Sequence, residues 1–254
     1  ATLTATKVTT TSNVAVTPGE AQYSDKVTIE ATLTPGSSCG LPAATNVTFF
    51  IENRNVGKAA LVPDGDGLKA TVSNVALLEA PGVRSVRAVF GGVSAYFVVS
   101  TATNTFTVTA EDARATYTGP TNACANASGA ATVALRATVK DITALSSDAA
   151  FDSSAGAIAN ARVAFVNRDT DTVLGEVPVK ASATDPKTGT ATFNWTANIG
   201  AETFATFRIG MIVKNYYVQN DTESDRDVTI SALAITQQPV DQTALPDCEL
   251  SVTF

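Results

Sequence analysis

Val27-Thr28-Ile29-Glu30-Ala31-Thr32-Leu33 returns later in the chain as Val133-Ala134-Leu135-Arg136-Ala137-Thr138-Val139. In both stretches apolar side chains fall at every second position, the period of a strand with one buried face rather than of a helix. The surroundings return in the same order. Phe49-Phe50-Ile51-Glu52-Asn53-Arg54 is answered by Val163-Ala164-Phe165-Val166-Asn167-Arg168, and Ala95-Tyr96-Phe97-Val98 by Asn215-Tyr216-Tyr217-Val218. A unit of about a hundred residues that recurs in strand-like pieces marks tandem β-sandwich modules.

Working outward, the first module turns at Pro18-Gly19, Pro35-Gly36, Asp64-Gly65-Asp66-Gly67 and Pro81-Gly82, with alternating runs between the turns. About seven short strands result, as in an immunoglobulin-like sandwich. In the second module Gly189-Thr190-Ala191-Thr192-Phe193 stands where Gly67-Leu68-Lys69-Ala70-Thr71-Val72 stands in the first. A Ser-, Ala- and Asp-rich insertion from Leu145 to Asn160 reads as a surface loop. The expected fold is all-β, with domains at 1–109 and 110–233. Residues 234–254 are expected to form a linker and a strand of a further repeat or of a contact between subunits. Ala110-Glu111-Asp112-Ala113-Arg114 reads as a short, solvated hinge between the domains. The chain opens at Ala1 without a leader and stops in mid-pattern at Ser251-Val252-Thr253-Phe254, so it reads as an excised or processed part of something longer.

Composition narrows the function. The 254 residues carry a formal net charge of -7 and no histidine. The charge argues against nucleic acid, whose phosphates call for clustered Lys and Arg. The missing histidine removes Ser-His-Asp and Cys-His catalysis and the commonest metal ligand. No apolar run nears the roughly 20 residues that span a bilayer, so no membrane insertion is expected of this segment. The remaining carboxylate groupings, Asp169 with Asp171 and Glu223 with Asp225 and Asp227, lie in polar stretches that read as solvated turns, and no enzyme is expected.

Tyr23-Ser24-Asp25-Lys26-Val27-Thr28 leading into an Ala-Thr-Leu strand, and Glu111-Asp112-Ala113-Arg114-Ala115-Thr116-Tyr117-Thr118-Gly119 opening the second module, resemble bacterial immunoglobulin-like repeats. The resemblance covers roughly residues 5 to 233. It implies long secreted and cell-surface proteins such as adhesins and gliding filaments, or accessory modules of secreted enzymes. Ile235-Thr236-Gln237-Gln238-Pro239 resembles the opening of another such repeat. In a module of this kind the loop after the first strand and the exit of the last strand share one end. That layout implies a disulfide between Cys124 and Cys248 and an oxidising compartment. Cys39, on the loop between the second and third strands, is left as a thiol for an intermolecular bond or as a buried free cysteine.

Ligand candidates are few. Asp64 and Asp66 alternate as in a calcium loop, yet the third acid and the distal glutamate are absent, so a glycine-assisted turn is expected there. Glu111 and Asp112 stand where interdomain calcium would stiffen a rod, against a plain solvated linker. No other cofactor is expected. Trp195 is in phase with Phe193 and Ala191 and reads as core rather than as a sugar platform. Of Tyr216 and Tyr217 one must face outward, which makes the pair a candidate ligand contact alongside a structural role for a hydroxyl. Asn46, Asn126, Asn194 and Asn220 each open a glycosylation acceptor pattern, and no modification is assigned to them. The expected function is a non-catalytic structural or adhesive stalk on an extracellular bacterial surface or filament, with neighbouring repeats or subunits as partners. The alternative is an accessory module that binds surface glycans or proteins.

Overall fold

Residues that alternate in polarity alternate in burial, and the computed structural model turns nearly every alternating run into a strand with one inward face. It describes residues 9–34, 45–92, 97–219 and 221–232. The chain divides between Ala110 and Glu111 into two units, Ala1–Ala110 and Glu111–Phe254. Both units are all-β sandwiches of immunoglobulin-like topology.

Unit 1 contains β1 (Thr11–Thr17), β2 (Glu20–Gln22), β3 (Lys26–Thr34), β4 (Asn46–Ile51), β5 (Arg54–Ala60), β6 (Val62–Asp64), β7 (Gly67–Ala76), β8 (Gly82–Phe90) and β9 (Ser100–Thr109). One sheet runs β1-β3-β7-β6 and the other β2-β9-β8-β4-β5. Val27, Ile29, Ala31 and Leu33 face inward from the first sheet, and Phe49, Ile51, Val86, Ala88, Phe90, Phe106 and Val108 from the second. Each fully buried large side chain in such a core contributes roughly 1.5–3 kcal/mol relative to an exposed one. On the outer face Phe50 is capped by the Arg87 guanidinium, 4.2 Å from its ring centroid.

Unit 2 contains β10 (Glu111–Tyr117), β11 (Asn122–Ala125), β12 (Ala130–Asp141), β13 (Ala161–Asn167), β14 (Thr172–Pro178), β15 (Lys180–Ala181), β16 (Thr188–Asn198), β17 (Phe204–Asn215), β18 (Tyr217–Val218) and β19 (Arg226–Ala232). Its sheets run β15-β16-β12-β10-β18 and β11-β19-β17-β13-β14. Strand for strand this repeats unit 1, with β18 as an addition among the described residues. The duplication extends to irregularities. The register slips between Phe49 and Phe50 against β5, and again between Phe165 and Val166 against β14. In both units a glycine of that hairpin closes the seam of the sandwich. A Cβ on Gly57 would stand 3.1 Å from Val72, and one on Gly175 would enter the Phe193 ring.

Four expectations are corrected. The described strands number nine and ten per unit rather than seven, because the first strand splits into two pieces and short edge strands form. The proposed hinge at 110–114 is not solvated linker: Glu111 and Ala113 are buried inward-facing residues of β10, leaving Ala110 alone between β9 and β10. The match of Gly189–Phe193 to Gly67–Val72 is one residue out of phase, since Leu68 and Ala70 face inward in one strand and Gly189 and Ala191 in the other. Trp195 is half-buried rather than fully in the core, packed edge-on against Phe207 with centroids 5.1 Å apart.

Candidate functional site

β12 ends in Asp141, where the alternation would place an apolar residue, and the side chain is completely buried. A buried carboxylate needs donors. Asp141 Oδ1 accepts from Thr143 Oγ1 at 2.5 Å and Ala144 N at 3.3 Å, and Oδ2 from Gly156 N and the Tyr217 hydroxyl, both at 3.1 Å. These bonds grip both ends of the loop that follows β12 and fasten β18 to the same point. Within that loop Asp152 accepts from Ser154 N and Asp148 from Ala150 N, and the short 3₁₀ turn Ile158–Asn160 buries Ile158. The insertion from Leu145 to Asn160 is therefore built around polar anchors rather than merely lying on the surface.

Tyr217 is 1% exposed, so it presents no face to a ligand, contrary to its candidacy as a contact. Tyr216, on the opposite side of the strand, is half-buried, and its carbonyl accepts from Glu111 N at 3.0 Å. β18 pairs in parallel with the start of β10, Tyr217 opposite Glu111 and Val218 opposite Asp112. The Gln219 side-chain oxygen accepts from Ala115 N. Glu111 is thus part of the sandwich interior and Asp112 part of its sheet, which corrects their reading as a solvated linker.

Asp64 sits at the β6–β7 turn, where Gly65 has φ +58, and pairs with Lys69 at 3.5 Å. Asp64 and then Glu30 raise the Lys69 ammonium above its ordinary value. Asp66 is exposed beside them. Among the described residues no group of three or more His, Cys, Asp or Glu side chains could hold a metal ion.

Asp225, expected on a solvated turn, is instead buried, with its side chain 2% exposed. It lies 3.3 Å from Arg168 and 3.5 Å from Arg208, while Asp169 accepts from Arg208 N at 3.0 Å. These contacts staple the β18–β19 loop to the β13–β14 hairpin and to β17. The hidden signal was the matching of acids with arginines two and more strands away, invisible along the chain. Tyr117 closes the first turn of unit 2, its hydroxyl donating to the Pro120 carbonyl at 2.7 Å, and burial pushes its pKa up to about 12.

Cys124 lies half-buried on β11, opposite Ser231 of β19. Cys39 and Cys248 lie outside the described residues, as does the segment 234–254. No helix among the described residues is long and apolar enough to cross a membrane.

No protein-family model matches the chain, and no characterised protein matches it in sequence. Solved structures similar to it include a D1–D4 ectodomain fragment of ICAM-5, at 16% identity over 87% of this chain and 54% of that one, TM-score 0.37. The adhesin InvE of Yersinia pseudotuberculosis is similar at 17% identity over 89% of this chain and 59% of the other, TM-score 0.36. The D0-D1 domain of intimin is similar at 18% identity over 86% of this chain and 97% of the other, TM-score 0.26. The chain spans between half and two thirds of the length of the first two. Likenesses at this level say nothing of activity or partner, and the immunoglobulin-like class stands on the order and direction of the strands themselves.

Proposed function

We propose that this chain is a load-bearing stalk segment of an extracellular bacterial surface protein or filament, non-catalytic and joined in series or head to tail to further copies of its modules. The observation that carries this reading is the pairing of terminal strands. In unit 1, β2 runs parallel to β9, with Glu20, Ala21 and Gln22 opposite Thr107, Val108 and Thr109. In unit 2, β11 runs parallel to β19, with Asn122 to Ala125 opposite Thr229 to Ala232. Tension on the two ends of a unit pulls such neighbours in opposite directions along their own axes. The ladder bonds are then loaded together, in shear, instead of opening one after another. Forced unfolding is governed by the unfolding barrier, which this geometry raises.

The Cys124–Cys248 disulfide belongs to the same proposal. Cys124 stands opposite Ser231, and Ala232 ends β19, so the last described strand of unit 2 lies beside that cysteine. Closing the bond would pass tension from Cys124 straight to Cys248 and shelter everything between them, so the β11–β19 ladder bears load when the bond is open and the bond itself bears it when closed. Peptide mapping without reduction should recover the linked pair. Recovery of alkylated Cys124 from unreduced protein would remove this part of the proposal.

Single-molecule pulling tests the whole. Stretched from its ends under reducing conditions, the chain should show two unfolding events at forces well above those seen when each unit is pulled through engineered handles that unzip the same strands. Ala21→Pro, which takes a backbone donor out of β2, should lower one event and spare the other. Equal forces in the two pulling geometries would rule out a load-bearing role.

A further inference from the structure

β16 has an open edge. Its outer neighbour β15 reaches only Thr190 and Gly189, so from Ala191 to Asn198 no described strand pairs with it on that side. An exposed edge is a template for another strand, and folded proteins ordinarily guard it with charge, proline, shortness or a covering side chain. The other edges of the described sheets are guarded in those ways, except for Ala70–Ala76 of β7, which β6 leaves unpaired but where the neighbouring Lys69 is already ion-paired with Glu30 and Asp64 and offers no seat for an acidic strand. β5 carries Arg54 and Lys58, and β14 carries Glu176 and Pro178. The Val14 carbonyl of β1 accepts from Asn104 Nδ2 at 3.0 Å. β2, β6, β11 and β18 are four residues or fewer. Thr192 to Asn198 has no charge and no proline.

The two sides of this edge differ. Inward, Phe193 and Trp195 are half-buried along the seam. Outward, the register gathers cations, with Arg136 opposite Thr192, Lys140 opposite Thr188 and Lys180 opposite Thr190. All three are exposed and none is in an ion pair among the described residues. The nearby acids are engaged: Asp148 holds Arg114 at 3.0 Å, and Asp185 accepts from Thr188 Oγ1 at 2.7 Å and Lys187 N at 3.0 Å. Those bonds, Thr188 first, with the charges of Lys140 and Lys187 nearby, hold the Asp185 carboxyl below its usual range. Asp112 lies on the far strand, β10.

We infer that this edge receives the segment Asp247–Phe254 of a second copy of the chain. The inference rests on the head-to-tail reading above and names the surface that would join the copies. In sequence the segment alternates Leu250, Val252 and Phe254 with Glu249, Ser251 and Thr253, a strand pattern with one apolar face. The stretch 233–254 contains Asp241, Asp247 and Glu249 and no lysine or arginine. Added to β16, such a strand completes the ladder, lays its apolar face over the Phe193–Trp195 seam and brings Glu249 to the side of Arg136 and Lys180. A chain of net charge -7 repels its copies, so a local seat of opposite charge is what selects this contact.

Sedimentation velocity of the full chain tests the inference. Association should rise with protein concentration, weaken in high salt, and yield to excess synthetic peptide Asp247–Phe254. Val252→Asp should abolish it. Arg136→Glu with Lys180→Glu should weaken it roughly tenfold, and adding Glu249→Lys to that variant should restore it. Circular dichroism confirms that each variant is folded, since all the changed positions are exposed or lie in the donor segment. A full chain that stays monomeric overturns the inference, as does association indifferent to the charge reversals or to Val252→Asp. None of those results touches the pulling experiment, so a monomer that still resists end-to-end tension sinks this contact and leaves the stalk reading in place.

Discussion

Units 1 and 2 have one topology and solve one mechanical problem in two ways. In each, the first strand must be held to the segment that runs into the last one. Unit 1 does this with side chains near its surface. Thr10 Oγ1 donates to the Val98 carbonyl at 3.3 Å, the Ser12 and Ser100 hydroxyls meet at 2.6 Å, and Asn104 Nδ2 reaches Val14 O. Unit 2 uses an extra strand, β18, pinned by the fully buried Asp141 through Tyr217 and by Gln219 against β10. Partly wet bonds are individually weak and replaceable, whereas a buried carboxylate with four donors concentrates the same task in one residue. Identical folds therefore differ in how many substitutions it takes to loosen them.

The sharpest way to break this comparison is Asp141→Ala. It strands the buried Tyr217 hydroxyl and Thr143 and leaves two half-buried backbone amides without their acceptor. We expect a loss of roughly 3 kcal/mol or more in unit 2. Trp195 is the only tryptophan and lies in unit 2, so its fluorescence in a urea titration reports that unit by itself. Asn104→Ala in unit 1 should cost about 1 kcal/mol or less. Equal losses would show that burial of the anchor is not what distinguishes the units.

A middle-sized effect separates the two seam glycines. Gly175→Ala drives a methyl group into the Phe193 ring and should destabilise unit 2 by about 2 kcal/mol. Gly57→Ala asks Val72 to give by a few tenths of an ångström and puts alanine at a backbone φ of +148 that it avoids, at a cost of about 1 kcal/mol. Thermal unfolding of the two variants should rank them in that order.

The smallest effect at neutral pH belongs to Tyr117. Its hydroxyl is held neutral by burial, with a folded pKa of about 12 against 10.0 for the free side chain. The folded state thus favours the protonated form. The stabilisation is complete below the unfolded value and is lost as pH rises from there through the folded value. Ultraviolet titration should show a late-ionising step that Tyr117→Phe removes, along with the loss of unit 2 stability between those two values.

Much of this architecture can be read in the sequence because a strand with one buried face writes its period directly into residue order. Val27–Leu33 and Val133–Val139 are legible for that reason, and so is the duplication. Glu111, Asp141 and Asp225 are not. Each is an acid in a polar-looking stretch, and only partners brought from distant strands, Tyr217 for Asp141 and Arg168 for Asp225, make it an interior group. Trp195 shows the same limit from the apolar side: period fixes which way it points, while its half-exposure depends on a sheet edge that β15 leaves uncovered.

The order of residues alone determined that this protein is a serial pair of β-sandwiches lacking histidine chemistry, since periodicity and composition are local properties. The tertiary structure decided which acids are interior, that the terminal strands run parallel, and which edges stay open. Those properties depend on pairing between residues far apart in the chain, as Glu20 is from Thr107, Glu111 from Tyr217 and Asn122 from Thr229, and strand direction and register across such separations leave no mark on either strand by itself.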